Sequence, residues 1–120
     1  MIPTLAATPE GRLVSGVIGQ KASLGQGKGP DVELIVTGTG TYATYETLSG
    51  FPAIYDDFLE LFCYARLVGG AYESTGVPLR SPPPPDVERH AKESDAVRMG
   101  KIARRQLELD RRARSSRGKE

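Results

Sequence analysis

Tryptophan is absent from this chain, and cysteine and histidine occur once each, as Cys63 and His90. One cysteine excludes an internal disulfide and any multi-cysteine zinc site. One histidine excludes a site built on two imidazoles. No apolar run approaches the roughly 18 residues that a spanning helix needs. The N-terminal Met1-Ile2-Pro3-Thr4 carries neither the basic region nor the apolar stretch of a signal peptide, so a cytoplasmic or virion location is expected rather than secretion. Excess charge is lacking too: 16 basic against 15 acidic side chains leave a net +1, which is no polycation made to coat nucleic acid.

Glycine and proline are plentiful, together 23 of 120 residues, above the usual share of about 12%. The glycines crowd into residues 16–29, and four prolines run from Pro82 to Pro85. The chain is therefore punctuated into blocks. Residues 1–11 read as an extended arm or loop. Arg12–Ile18 reads as a strand interrupted at Gly16, and residues 19–30 as a mobile loop or the tip of a hairpin. Asp31–Thr37 alternates as a half-buried strand, and Thr41–Leu48 reads as its hairpin partner or as a short helix.

The apolar residues of 51–68 suit a helix: Phe51, Ile54, Tyr55, Phe58, Phe62 and Ala65 make one stripe on a 3.6-residue wheel. Pro52 fits its first turn and Gly69-Gly70 its stop. Leu61, Tyr64, Leu67 and Val68 widen the apolar arc beyond what a small sheet covers, so either residues 1–50 wrap the helix or part of it meets another chain. The proline run predicts a stiff spacer. Beyond it Asp86 is placed to cap a helix running to about Arg114, with a thin coiled-coil-like seam of Met99, Ile102, Gln106, Leu109 and Ala113. So small a stripe does not sustain a helix alone in water, so this one should fold against something.

The expected fold is α+β: a small antiparallel sheet or hairpin packed on one apolar helix, then a Pro-rich spacer and a charged C-terminal helix. The corresponding division is a compact body over 1–80 with its N-terminal arm, a spacer over 81–85 and a basic helical arm over 86–120. On this division a chain cut after Arg80 keeps its folded body.

No catalytic set can be assembled. Gly38-Thr39-Gly40-Thr41-Tyr42-Ala43 matches G-x-G-x-x-A, but no second β-α-β unit has room to follow, and a glycine turn accounts for it. Gly25-Gln26-Gly27-Lys28-Gly29 lacks the hydroxyl that a phosphate loop places on magnesium. Asp56, Asp57 and Glu60 supply too few oxygens for a cation site and read as a solvated face. Cys63 lies among apolar residues with no cation to activate it. Catalysis, cofactor and metal are therefore not expected.

Charge is segregated instead. Residues 1–97 carry seven basic and twelve acidic side chains, net −5, and residues 98–120 nine and three, net +6. Arg98, Lys101, Arg104, Arg105, Arg111, Arg112 and Arg114 are the candidate anion-binding residues of the tail, and their guanidinium forks suit phosphate and carboxylate alike. Met99, Ile102 and Leu109, with Leu61, Tyr64 and Leu67, are the candidate partner-binding residues. The pattern predicts a non-enzymatic assembly subunit that docks through its arms onto other protein subunits, in a large or homo-oligomeric complex such as a phage head, connector or tail. The alternative is a nucleic-acid-binding accessory protein that uses the basic helix. A merely solubilising helix end is the plainest reading of the tail.

Overall fold

The structure, a computed structural model, describes residues 17–118, with side chains as far as Arg114. The expected N-terminal arm and the first part of the Arg12–Ile18 strand lie outside the described residues. Six antiparallel strands form one sheet in sequence order: β1 (Val17–Gln26), β2 (Gly29–Gly38), β3 (Ala43–Glu46), β4 (Pro52–Asp56), β5 (Leu61–Val68) and β6 (Ala71–Pro78). One helix among the described residues, α1 (Asp95–Gly118), follows. The fold is α+β, as the composition of the blocks implies.

Alternation decides what each strand buries. Opposed residues of antiparallel neighbours share a face. The pairs Ala22–Leu34, Leu24–Val32, Val36–Tyr45, Tyr45–Ala53, Ala53–Tyr64 and Tyr55–Phe62 therefore line one side of the sheet. Leu34, Ala53 and Phe62 are buried there, with Leu24, Val32, Tyr45, Tyr55 and Leu79 packed around them. Tyr45 and Tyr55 both meet the Phe62 ring edge-on, at 5.5 and 5.1 Å between centroids. The first hairpin curls over this core. At its tip the Lys28 N–H donates to Glu60 O at 3.0 Å, and Gln26 Oε1 accepts the Phe62 N–H at 2.7 Å.

The helix expected over 51–68 is instead the hairpin β4–β5. Its periodicity misleads because β5 is covered on both sides. Phe62 and Tyr64 point one way, Cys63 and Ala65 the other, and all four are buried. A strand buried on both faces reads as a continuous apolar run and not as an alternation. Phe58, a member of the supposed stripe, sits in the β4–β5 turn and is 92% exposed. That turn is closed by Asp56, whose carboxylate accepts the Leu59 N–H at 2.9 Å. Gly69 and Gly70, read as a helix stop, are the two-residue turn between Val68 and Ala71, with φ of 60° and 83°. Positive φ at both positions is what a tight hairpin turn demands.

Residues 79–94 form a strap across the sheet, so the segment expected to hold the tail away from the body lies against it. It starts on the core face at Leu79 and passes the Gly50 end. It finishes on the opposite face at Glu93. The Tyr64 hydroxyl is 2.7 Å from Ser81 O, Arg66 Nε pairs with Asp86 at 2.8 Å, and Val87 is buried. Arg89 stacks over the Phe51 ring, and the His90 N–H donates to Gly50 O at 2.8 Å. A Cβ on Gly50 would fall 2.8 Å from the His90 ring, so this crossing requires glycine. The C-terminal helix begins nine residues later than Asp86, because 86–94 is held in this strap.

Candidate functional site

The root of α1 is where the sheet, the strap and the charged tail meet. Ser94 caps the helix: its Oγ accepts the Val97 N–H at 3.2 Å, and its own N–H donates to Gly70 O at 2.9 Å. The cap is thus bonded directly to the β5–β6 turn. The residue before it, Glu93, exposes 1% of its side chain. Glu93 accepts the Tyr42 hydroxyl at 2.7 Å, the Tyr72 N–H at 2.7 Å and the Lys101 ammonium at 2.6 Å. One carboxylate ties the β2–β3 loop, strand β6 and the second turn of α1 together.

A buried charge persists only when it is paired and fully hydrogen-bonded. Burial is the largest single influence on Glu93 and acts to raise its pKa. The Lys101, Tyr72 and Tyr42 donors together outweigh it and hold the carboxyl below its ordinary value. The neighbouring phenols respond in the opposite sense. Burial, then the bond to Glu93, raises Tyr42 well above its usual range. Burial and the Glu93 and Glu46 carboxylates push Tyr72 up to about 12. Both stay neutral donors at any physiological pH.

Beside this knot an open cleft of about 460 Å³ lies between Thr37, Gly38, Tyr42 and Thr44 of the sheet and Lys92, Asp95 and Arg98. Its cations are already engaged: Lys92 is 3.7 Å from Glu46, and Arg98 is 2.9 Å from Asp95. Among the described residues no three His, Cys, Asp or Glu side chains gather as metal ligands. No helix among them is long and apolar enough to cross a membrane. Cys63 is fully buried, and burial raises its thiol pKa. His90 bonds Glu46 at 3.0 Å through Nδ1. The chemistry of this region is fastening.

The expected site residues divide. Met99 is 60% exposed, and Ile102 and Leu109 are half-buried along the same side of α1. Leu61 and Leu67 stand at opposite ends of β5, the first half-buried and the second exposed. Tyr64 lies between them inside the body, its hydroxyl on the strap carbonyls. These three do not join the helix seam. Of the basic set, Lys101, Arg98 and Arg105 bond Glu93, Asp95 and Glu108. Arg104, Arg111, Arg112 and Arg114 are exposed and make no ion pair among the described residues. Glu93, Tyr42 and Tyr72 escape a sequence reading, since nothing local says that they meet. Ser94-Asp95 ahead of a run of good helix formers is the one signal that marks the true start of α1.

No known family model matches the chain, and no curated protein or solved structure is significantly similar to it. The functional reading therefore stands on the geometry.

Proposed function

We propose that the chain is a non-enzymatic assembly subunit of a larger complex, of the kind that builds a virion head, connector or tail, and that α1 is its docking arm. The observation that carries this reading is how α1 is fastened. Ser94 and Lys101 tie its first two turns to the body. Beyond Lys101, no hydrogen bond or ion pair among the described residues joins it to the sheet. The remaining turns depend on Arg105–Glu108 and Gln106–Asp110 contacts within the helix, each worth only a few tenths of a kcal/mol. The seam of Met99, Ile102 and Leu109 is turned about a quarter-turn or more away from the Lys101 side, and it keeps Met99 exposed with Ile102 and Leu109 half-buried. A long, weakly self-supporting helix whose seam is only half-covered is suited to fold fully on a partner.

The exposed Arg104, Arg111, Arg112 and Arg114 support the second reading, a nucleic-acid-binding arm. Two variants separate the two. Native mass spectrometry of particles carrying the chain is expected to show incorporation lost in M99S/I102S/L109S, because desolvated apolar anchors dominate interfaces. It is expected to be weakened but retained in R104A/R105A/R111A/R112A. If the arginine variant is excluded and the seam variant incorporated, the nucleic-acid reading replaces the first. Affinity for duplex DNA must then fall with salt, with a slope near −0.9 per phosphate neutralised.

A further inference from the structure

Two exposed apolar side chains sit among charges of opposite net sign. On α1, Leu107 is 58% exposed. Arg104 and Arg111 flank it at i−3 and i+4 and Arg114 follows one turn further, against the one acidic residue of this face, Asp110 at i+3, so the face keeps a net positive charge. This face is opposite the Met99–Ile102–Leu109 seam. In the β4–β5 turn, Phe58 is 92% exposed between Asp57 and Glu60, both also exposed. Lys28 stands 3.9 Å from Glu60 at the edge of this turn. Among the described residues no ion pair joins the two patches within one chain. Each presents an apolar knob to solvent beside charge that is left unpaired: Asp57 at the turn, where Lys28 offsets Glu60 alone, and Arg104, Arg111 and Arg114 on the helix. The imbalance matches that of the whole sequence, net −5 over residues 1–97 and +6 over 98–120.

We infer that the Leu107 face of α1 docks on the Phe58 turn of a second copy of this chain, joining copies head to tail. The inference rests on the reading of the chain as an assembly subunit and names one of its partners. Charge complementarity selects the occupant. Arg104, Arg111 and Arg114 face Asp57 and Glu60 across the contact, while Leu107 meets Phe58 at its centre, an apolar anchor inside a polar rim. The two surfaces differ, so every copy offers one of each. Such a heterologous contact repeats from copy to copy and closes into a ring or runs on as a filament.

Sedimentation of the purified full chain over a concentration series tests this. Self-association that weakens with salt is expected. R104E/R111E, and separately D57R/E60R, should raise the apparent dissociation constant by about tenfold or more, because each reversal puts like charges across the contact. Circular dichroism of each variant checks that the fold persists. The fourfold variant carrying both reversals should associate again, since the charges are exchanged and still complementary. A chain that stays monomeric throughout overturns the inference. So does association that neither reversal alters, or fourfold reversal without rescue. If instead the basic face of the monomer binds duplex DNA and R104E/R111E abolishes that binding, nucleic acid is the occupant and the inference falls. Loss of incorporation in the seam variant, with these reversals silent, would leave the docking arm standing and remove only the second copy as its partner.

Discussion

Glu93 holds three donors at once, and only two of them are side chains: the third is the Tyr72 amide, which would otherwise be left unpaired in β6. Replacing Glu93 by alanine leaves the Tyr72 N–H, the Tyr42 hydroxyl and the Lys101 ammonium without an acceptor. The expected loss is about 3 kcal/mol, read as a shift in the urea midpoint. Acid should act on the same residue. The folded carboxyl titrates below its ordinary value of 4.5. The unfolded chain thus binds the proton first as pH falls, and the stability that Glu93 contributes is complete above that value. It is lost as pH drops through the folded pKa. Asp56 adds in the same direction, held low by its Ser74 bond and then by the Leu59 amide. Thermal melts between pH 7 and pH 3 should show a steep acid limb in the parent chain and a shallower one in E93Q. Identical limbs would mean that Glu93 is not charged in the fold.

At the scale of elements, the β5–β6 turn separates two effects of one residue type. Gly69 and Gly70 both have positive φ, but a Cβ on Gly69 meets nothing within 4 Å, whereas one on Gly70 comes within 2.9 Å of Ser94 Oγ. Gly69→Ala should cost only the left-handed backbone penalty, about 1–2 kcal/mol. Gly70→Ala should cost more, because it also pushes on the helix cap; equal midpoints for the two would detach α1 from the turn. The same glycine pair explains why this region is hard to read in advance. A Gly-Gly after an apolar run ends a helix or turns a hairpin equally well, and Pro52 opens a first helical turn or begins a strand. What decides is that β5 is covered by the core on one side and buried on the other, a fact of tertiary packing that no window of 18 residues contains. Asp31–Thr37 was legible because its β2 strand alternates cleanly, with Leu34 buried and Glu33 exposed. A C-terminal helix was legible because its charged, helix-forming composition is a local property. Its root was not, since Glu93 and Tyr42 lie 51 residues apart.

The molecule as a whole is a sheet bound by its own strap, and this changes where the chain can be cut. Removing residues 81–120 strips off Val87, the Asp86–Arg66 pair and Glu93, and opens the Gly50 end to water. A 1–80 chain is therefore expected to show no cooperative thermal transition, in contrast to what the proline run suggests. A 1–103 chain keeps Glu93 and Lys101 and should melt within about 5 °C of the full length. If 1–80 melts as sharply as 1–103, the strap contributes nothing to the body. The strap also leaves the far turns of α1 without a hydrogen bond or ion pair to the sheet among the described residues, so they can fray without any change in the sheet beneath them.

Cys63 carries a consequence of that sealed body. It is the sole thiol of the chain, fully buried at the centre of β5, with its ionisation suppressed by burial. No alkylating reagent reaches it while the sheet is closed, and every molecule whose β5 opens exposes one nucleophile. The fraction labelled over time is thus a tally of how often the sheet comes apart. On the proposal that the chain is an assembly subunit, the same chemistry run on free and on assembled chains would compare how often each opens.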